Sequence, residues 1–103
     1  MLIIKNWVNK NYNNIDKYID MSAFAENKDF ENINLGLNHT NTLLDILTHI
    51  TKCYSELTKI KLDNNNIELC GGLQPLIHLK NLKSLSLSHN KVMYILLFIT
   101  IYT

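Results

Sequence analysis

Two stretches, Leu57-Thr-Lys-Ile60-Lys-Leu62-Asp-Asn-Asn65-Asn-Ile67 and Leu82-Lys-Ser-Leu85-Ser-Leu87-Ser-His-Asn90-Lys-Val92, repeat one pattern twenty-five residues apart. Apolar side chains hold the first, fourth, sixth and eleventh places and asparagine the ninth. In the short alternating segment the chain is extended, so neighbouring side chains point to opposite faces. Ile60 and Leu62 turn inward, while Lys59, Lys61 and Asp63 turn outward. The asparagine closes each strand, because its amide bonds backbone groups that a turning chain would leave unpaired. A fainter third copy is read upstream in Phe30, Ile33, Leu35, Asn38 and Thr40, so that Asn38, Asn65 and Asn90 would stack as a ladder.

This spacing is similar to the leucine-rich repeat pattern at every defining position. One coil cannot bury its apolar side alone, so the coils must stack. Each buried Leu or Ile contributes about 1.5–3 kcal/mol. The expected fold is α/β: a right-handed leucine-rich repeat solenoid with a short curved parallel sheet and helices on the convex side. Residues 1–29 are expected to form an N-terminal capping segment, 30–92 about three repeats, and 93–103 an apolar C-terminal tail.

With 103 residues there is room for one small domain. The formal charge of +1 provides no global field toward nucleic acid or an acidic partner. Cys53 and Cys70 are not spaced as a metal or redox motif and are too few for a disulfide framework. Reduced thiols in a nuclear or cytoplasmic protein are therefore expected. The opening Met-Leu-Ile-Ile-Lys5-Asn-Trp7 has too short an apolar core for a signal peptide.

Ile15, Tyr18, Ile19 and Ala23 fall at helical spacing with Asn14 as cap, which predicts a short amphipathic helix in the capping segment, packed with Trp7 and Phe24. A second helix is predicted from Asn41, capped by Asn41 or Thr42, with Leu43, Leu47, Ile50, Tyr54 and Leu57 as its apolar stripe. His49 and Cys53 lie four apart on it and face one way, but two ligands do not make a zinc site. Gly71-Gly72 is expected to give positive φ or close backbone approach, and Pro75 suits the first turn of a short helix. Leu73, Leu76, Leu79 and Leu82 continue the inward face. The tail from Val92 to Thr103 is apolar on every side and too short for a bilayer, which takes about 20 residues. Three readings of it stand: a terminal element over the open end, a membrane-surface or oligomer contact, or a premature end of a protein with further repeats.

No Gly-x-Ser-x-Gly, His-Glu-x-x-His or Gly-x-x-x-x-Gly-Lys element is present. Ser84, Ser86 and Ser88 share a strand face with His89 nearby, without the placed base and carboxylate that nucleophilic catalysis requires. The expectation is a non-enzymatic protein with no cofactor, no metal, no direct nucleic-acid site and no transmembrane span. Its partner-binding surface is expected on the concave sheet face, at Asn32, Asn34, Lys59, Lys61, Asp63, Ser84, Ser86 and Ser88. Between Leu57 and Val92 five lysines stand against Asp63 and Glu68, which favours an acidic or phosphorylated patch on a protein partner.

Ile33-Asn-Leu-Gly-Leu37, Leu57 to Asn65, Gly71-Gly-Leu73 and Asn81 to Val92 together resemble the acidic leucine-rich nuclear phosphoprotein 32 family over about residues 30–92. That resemblance implies an adaptor of the nucleus and cytoplasm, with a histone, a phosphatase or an RNA-binding protein of transcription or RNA-export complexes as partner. The family's long acidic tail and last repeat have no counterpart here, which weighs against histone chaperoning. A spliceosomal adaptor resembling the A-prime protein of the U2 particle is the alternative.

Overall fold

The computed structural model describes residues 2–30, 36–68 and 70–91. Its elements in chain order are helix α1 (Leu2–Asn11), strand β1 (Tyr18–Asp20), two short 3-10 turns (Phe24–Glu26 and Lys28–Phe30), helix α2 (Thr40–Cys53), strand β2 (Lys59–Lys61), a 3-10 helix (Cys70–His78) and strand β3 (Ser84–Ser86). The strands form a parallel sheet in the order β1-β2-β3. Ile19, Ile60 and Leu85 stand side by side, flanked by the rows Tyr18–Lys59–Ser84 and Asp20–Lys61–Ser86. This mixed α/β arrangement is compatible with a leucine-rich-repeat-like fold.

The repeat pattern explains β2 and β3. Ile60 and Leu62 are fully buried, and the ladder continues past the strands: Leu62 N–H donates to Ser86 O at 2.8 Å, and Asn64 N–H to Ser88 O at 3.0 Å. The first rung departs from the sequence expectation. Its strand is β1, lying within the stretch 15–23 predicted to be helical. Ile19 and Met21 are buried at the places of Ile60 and Leu62, while Ile15 is 92% exposed. Period-two alternation, with Tyr18 and Asp20 facing away from the core, has overridden the helical spacing of Ile15, Ile19 and Ala23. The neighbour of β2 is therefore β1. Of the fainter copy, Ile33 and Leu35 lie outside the described residues, and Asn38 is an exposed turn residue ahead of α2.

The asparagine ladder forms from Asn65 and Asn90. Asn65 Oδ1 accepts the Phe24 N–H at 2.9 Å, and its amide donates to Met21 O at 2.8 Å. Asn90 repeats this one rung on, accepting Asn65 N–H at 3.0 Å and donating to Leu62 O at 2.8 Å. In the first rung Phe24 occupies the asparagine place and packs edge-on against Trp7, ring centroids 4.9 Å apart. Ala23, Asn64 and His89 share the position just before it, all left-handed at φ 47°, 57° and 59°. All three rungs thus turn with the same backbone.

Ile4, Trp7 and Val8 are buried on α1, at the spacing of one helix face. Leu43, Ile46, Leu47 and Ile50 form the buried stripe of α2. That helix starts one residue earlier than predicted, at Thr40, with His39 at the N-cap position and no side-chain cap. Against α2 lies the 3-10 helix, which brings in Leu73, Leu76 and Leu79, all fully buried. Neither Gly71 nor Gly72 has positive φ. Gly72 serves close approach instead: a Cβ there would stand 2.9 Å from Leu43 Cδ2 and 3.1 Å from Leu43 Cβ.

Candidate functional site on the outer sheet face

The core takes the inward side of the sheet, so its other side carries what the strands display. Of the residues expected there, Lys59, Lys61, Ser84 and Ser86 stand on β2 and β3, with Asp63 and Ser88 just beyond them. Asn32 and Asn34 lie outside the described residues. The places beside Lys59 and Lys61 are held by Tyr18 and Asp20, two residues that the repeat spacing did not reveal. A signal for them exists in the alternation Tyr18-Ile19-Asp20-Met21, but β1 precedes β2 by forty-one residues rather than twenty-five.

Lys59 is exposed and holds its Nζ 4.8 Å from the centre of the Tyr18 ring, within cation–π range. Lys61 Nζ is 3.9 Å from Asp63 Oδ2. Asp63 is also tied across the sheet: its Oδ1 accepts the Ser86 hydroxyl at 2.6 Å and the Ser88 N–H at 2.8 Å. Asp20 accepts the Ser22 N–H at 2.9 Å. Burial alone would raise its carboxyl, but hydrogen bonding from Ser22 and the Lys61 charge outweigh it and hold Asp20 below the usual carboxylate range. Burial first, then the carboxylates of Asp20 and Asp63, push the Tyr18 phenol up.

The face is therefore charge-balanced across β1 and β2, two ammonium groups standing against two carboxylates. The lysine excess of the sequence does not make it a basic patch. Lys61 and Asp63 satisfy one another, whereas Lys59 and Asp20 remain exposed to an incoming surface. Such a face can offer one ammonium, one carboxylate, an aromatic ring and a row of serine hydroxyls, all on a backbone whose groups are paired between strands. Ser86 gives its proton to a carboxylate that Lys61 and the Ser88 N–H already hold.

Other features lie on the opposite, helical side. A groove between α2 and the 3-10 helix is lined by Leu44, Thr48, Thr51, Gln74, Pro75 and His78. His49 and Cys53 do face one way, with Sγ 3.6 Å from Nδ1. Among the described residues no group of three His, Cys, Asp or Glu is placed to hold a metal ion, and no helix is long and apolar enough to cross a membrane.

No family model matches the chain. Over 93 residues it is 31% identical to nuclear RNA export factor 1 of Caenorhabditis elegans. That stretch takes in 87% of this chain, which spans about 15% of the length of the relative.

Proposed function

We propose that this chain is a non-enzymatic protein-interaction module of the leucine-rich-repeat type, a short right-handed solenoid that binds a protein partner on its outer sheet face. The observation that carries the reading is the three-strand face itself, where Tyr18, Asp20, Lys59 and Ser84 meet on a backbone paired from β1 through β2 to β3 while the helices cover the other side. The likeness to an RNA export factor supports a partner from RNA-export assemblies and a place in the nucleus, the cytoplasm or both. The narrower kinship with the acidic nuclear phosphoprotein 32 family is supported by the runs Leu57–Asn65 and Asn81–Lys91, whose register the sheet reproduces.

The test is affinity capture from native cells with the wild-type chain and with Lys59→Glu/Ser84→Lys, both substitutions on exposed side chains. The expected result is a set of RNA-export proteins held by the wild type and lost, about tenfold or more, by the variant, with the thermal midpoint nearly unchanged. Recovery of histones or a phosphatase in the same face-dependent way would favour the phosphoprotein reading, and recovery of a U2 RNA-binding protein the spliceosomal one. Equal capture by both chains would remove the sheet face as the binding surface.

A further inference from the structure

On the helical side, away from the sheet face, a polar chain links α1 to α2. Asn9 stands near the end of α1, with His49 and Cys53 one turn apart on α2. His49 Nε2 lies 3.3 Å from Asn9 Oδ1. An amide oxygen can only accept, so Nε2 carries the proton and Nδ1 presents its lone pair. The Tyr54 hydroxyl donates to the same oxygen and orients the amide. Cys53 Sγ lies 3.6 Å from that free Nδ1, so the thiol donates to the imidazole. Nucleophile, base and orienting group are therefore in sequence, the geometry by which a thiol is activated. Burial first, and the Lys5 charge second, hold His49 below its ordinary value, which keeps the ring neutral at pH 7 and leaves the Nδ1 lone pair open to the thiol proton.

Cys53 is an exposed free thiol and opens into a cleft of about 360 Å³ that Lys5, Asp45, Thr48 and Lys52 line beside His49. Two ammonium groups against one carboxylate favour an anionic reagent. We propose that Cys53, with His49 taking its proton, is a thiol-exchange site that captures small anionic disulfides of the glutathione class as a mixed disulfide. The Cys53 sulfur attacks one sulfur of the disulfide R–S–S–R. The S–S bond breaks, Cys53–S–S–R forms, and the departing thiolate leaves as R–SH with the proton that His49 received. One thiol is consumed and one released, and the disulfide is the oxidant. This is a modification and not a turnover, and it is independent of the sheet face, so either assignment can fail without the other.

The experiment treats the full chain with oxidised glutathione at pH 7, follows the adduct by intact mass, and assigns it by proteolytic mapping between Cys53 and Cys70. The expected result is one adduct at Cys53, formed about tenfold or more faster than in His49→Gln and faster than at the same residue in the urea-unfolded chain. Cystamine, a cationic disulfide, should react more slowly than oxidised glutathione once each is scaled to its rate with a free peptide thiol. The wild-type rate should also fall as pH drops through the titration of His49, which faces Lys5 from α1 and Asp45, Lys52 and Tyr54 from α2 and its end; His49→Gln should lack that step. A folded-chain rate no higher than the unfolded one, a rate unchanged by His49→Gln, or an adduct confined to Cys70 would overturn the proposal. The comparison with the unfolded chain decides the matter even where the variant folds poorly.

Discussion

Asn65 joins two rungs with one side chain, and it is only 7% exposed. Its oxygen satisfies the Phe24 N–H, and its amide hydrogens serve Met21 O, Leu62 O and Asp63 O. Asn65→Ala is predicted to cost about 2–4 kcal/mol, because a buried N–H and a buried carbonyl lose their partners together. Urea denaturation measures this; a loss under about 0.5 kcal/mol would mean that water reaches the Phe24 amide. Asn65 and Asn90 were legible because their place in the repeat admits few other side chains. Phe24 was not, since the first rung replaces the asparagine with a ring that fills the space beside Trp7 and Phe30. Ala23 was equally hidden. Its φ of 47° puts Cβ close to the following carbonyl, a conformation that costs an ordinary L-residue about 1–2 kcal/mol. Ala23→Gly is therefore predicted to stabilise the chain by about 0.5–1 kcal/mol after the extra unfolded-state entropy of glycine is counted. A lowered thermal midpoint in Ala23→Gly would show that the first turn is not left-handed.

At the scale of elements, burial runs unevenly across the sheet. Ile19 and Ile60 are 1% and 0% exposed, whereas Leu85, in the same row on β3, is only partly buried. Ile60→Ala is predicted to cost about 2–5 kcal/mol as a core truncation. Leu85→Ala should cost about half of that or less, because part of its surface already meets solvent. Equal losses in the two variants, measured by denaturant unfolding, would contradict this gradient. The sequence showed α2 clearly, since Leu43, Leu47 and Ile50 mark one helix face and the return segment is long enough for it. It did not show α1: Ile4, Trp7 and Val8 are three apolar places among asparagines and lysines. It misplaced β1 because three residues of strand leave one buried alternation, while the wider spacing of Ile15, Ile19 and Ala23 imitates a helix.

For the whole molecule, several contacts that dock α1 on the end of α2 are made by groups that titrate, and this gives stability a defined pH window. Tyr12 donates to Glu56 at 2.9 Å and stacks on Tyr54 with centroids 4.2 Å apart. Burial, then the Glu56 hydrogen bond and charge, push Tyr12 far above its ordinary value of 10.0. Burial, then the Cys53 and Glu56 charges, raise Tyr54, and burial and Asp20 raise Tyr18. A phenol raised in the folded state binds its proton there after the unfolded chain has lost it, so its stabilisation is complete below 10.0 and is lost as pH rises beyond. On the acid side the shifts are downward. His49 falls below 6.5 through burial and then Lys5. Glu56 falls below 4.5 through its own backbone hydrogen bond and then Tyr12. Asp20 is held below 3.8 by Ser22 and Lys61 against its burial. For all three the unfolded chain takes up protons first, so stability is present above those ordinary values and drains away as pH falls through the folded ones. The thermal midpoint is thus predicted to be level from about pH 7 to 9.5, to begin falling near pH 6.5 as His49 titrates, to steepen below about pH 4.5, and to fall again above about pH 10. Melting curves across that range test it. His49→Gln should remove the uppermost part of the acid limb alone, and Tyr12→Phe should shallow the alkaline limb while leaving the acid limb's His49 step in place. A midpoint that stays level from about pH 9.5 to 11 would show that the tyrosines between the helices are hydrated, and that α1 is held by Ile4, Trp7 and Val8 without them.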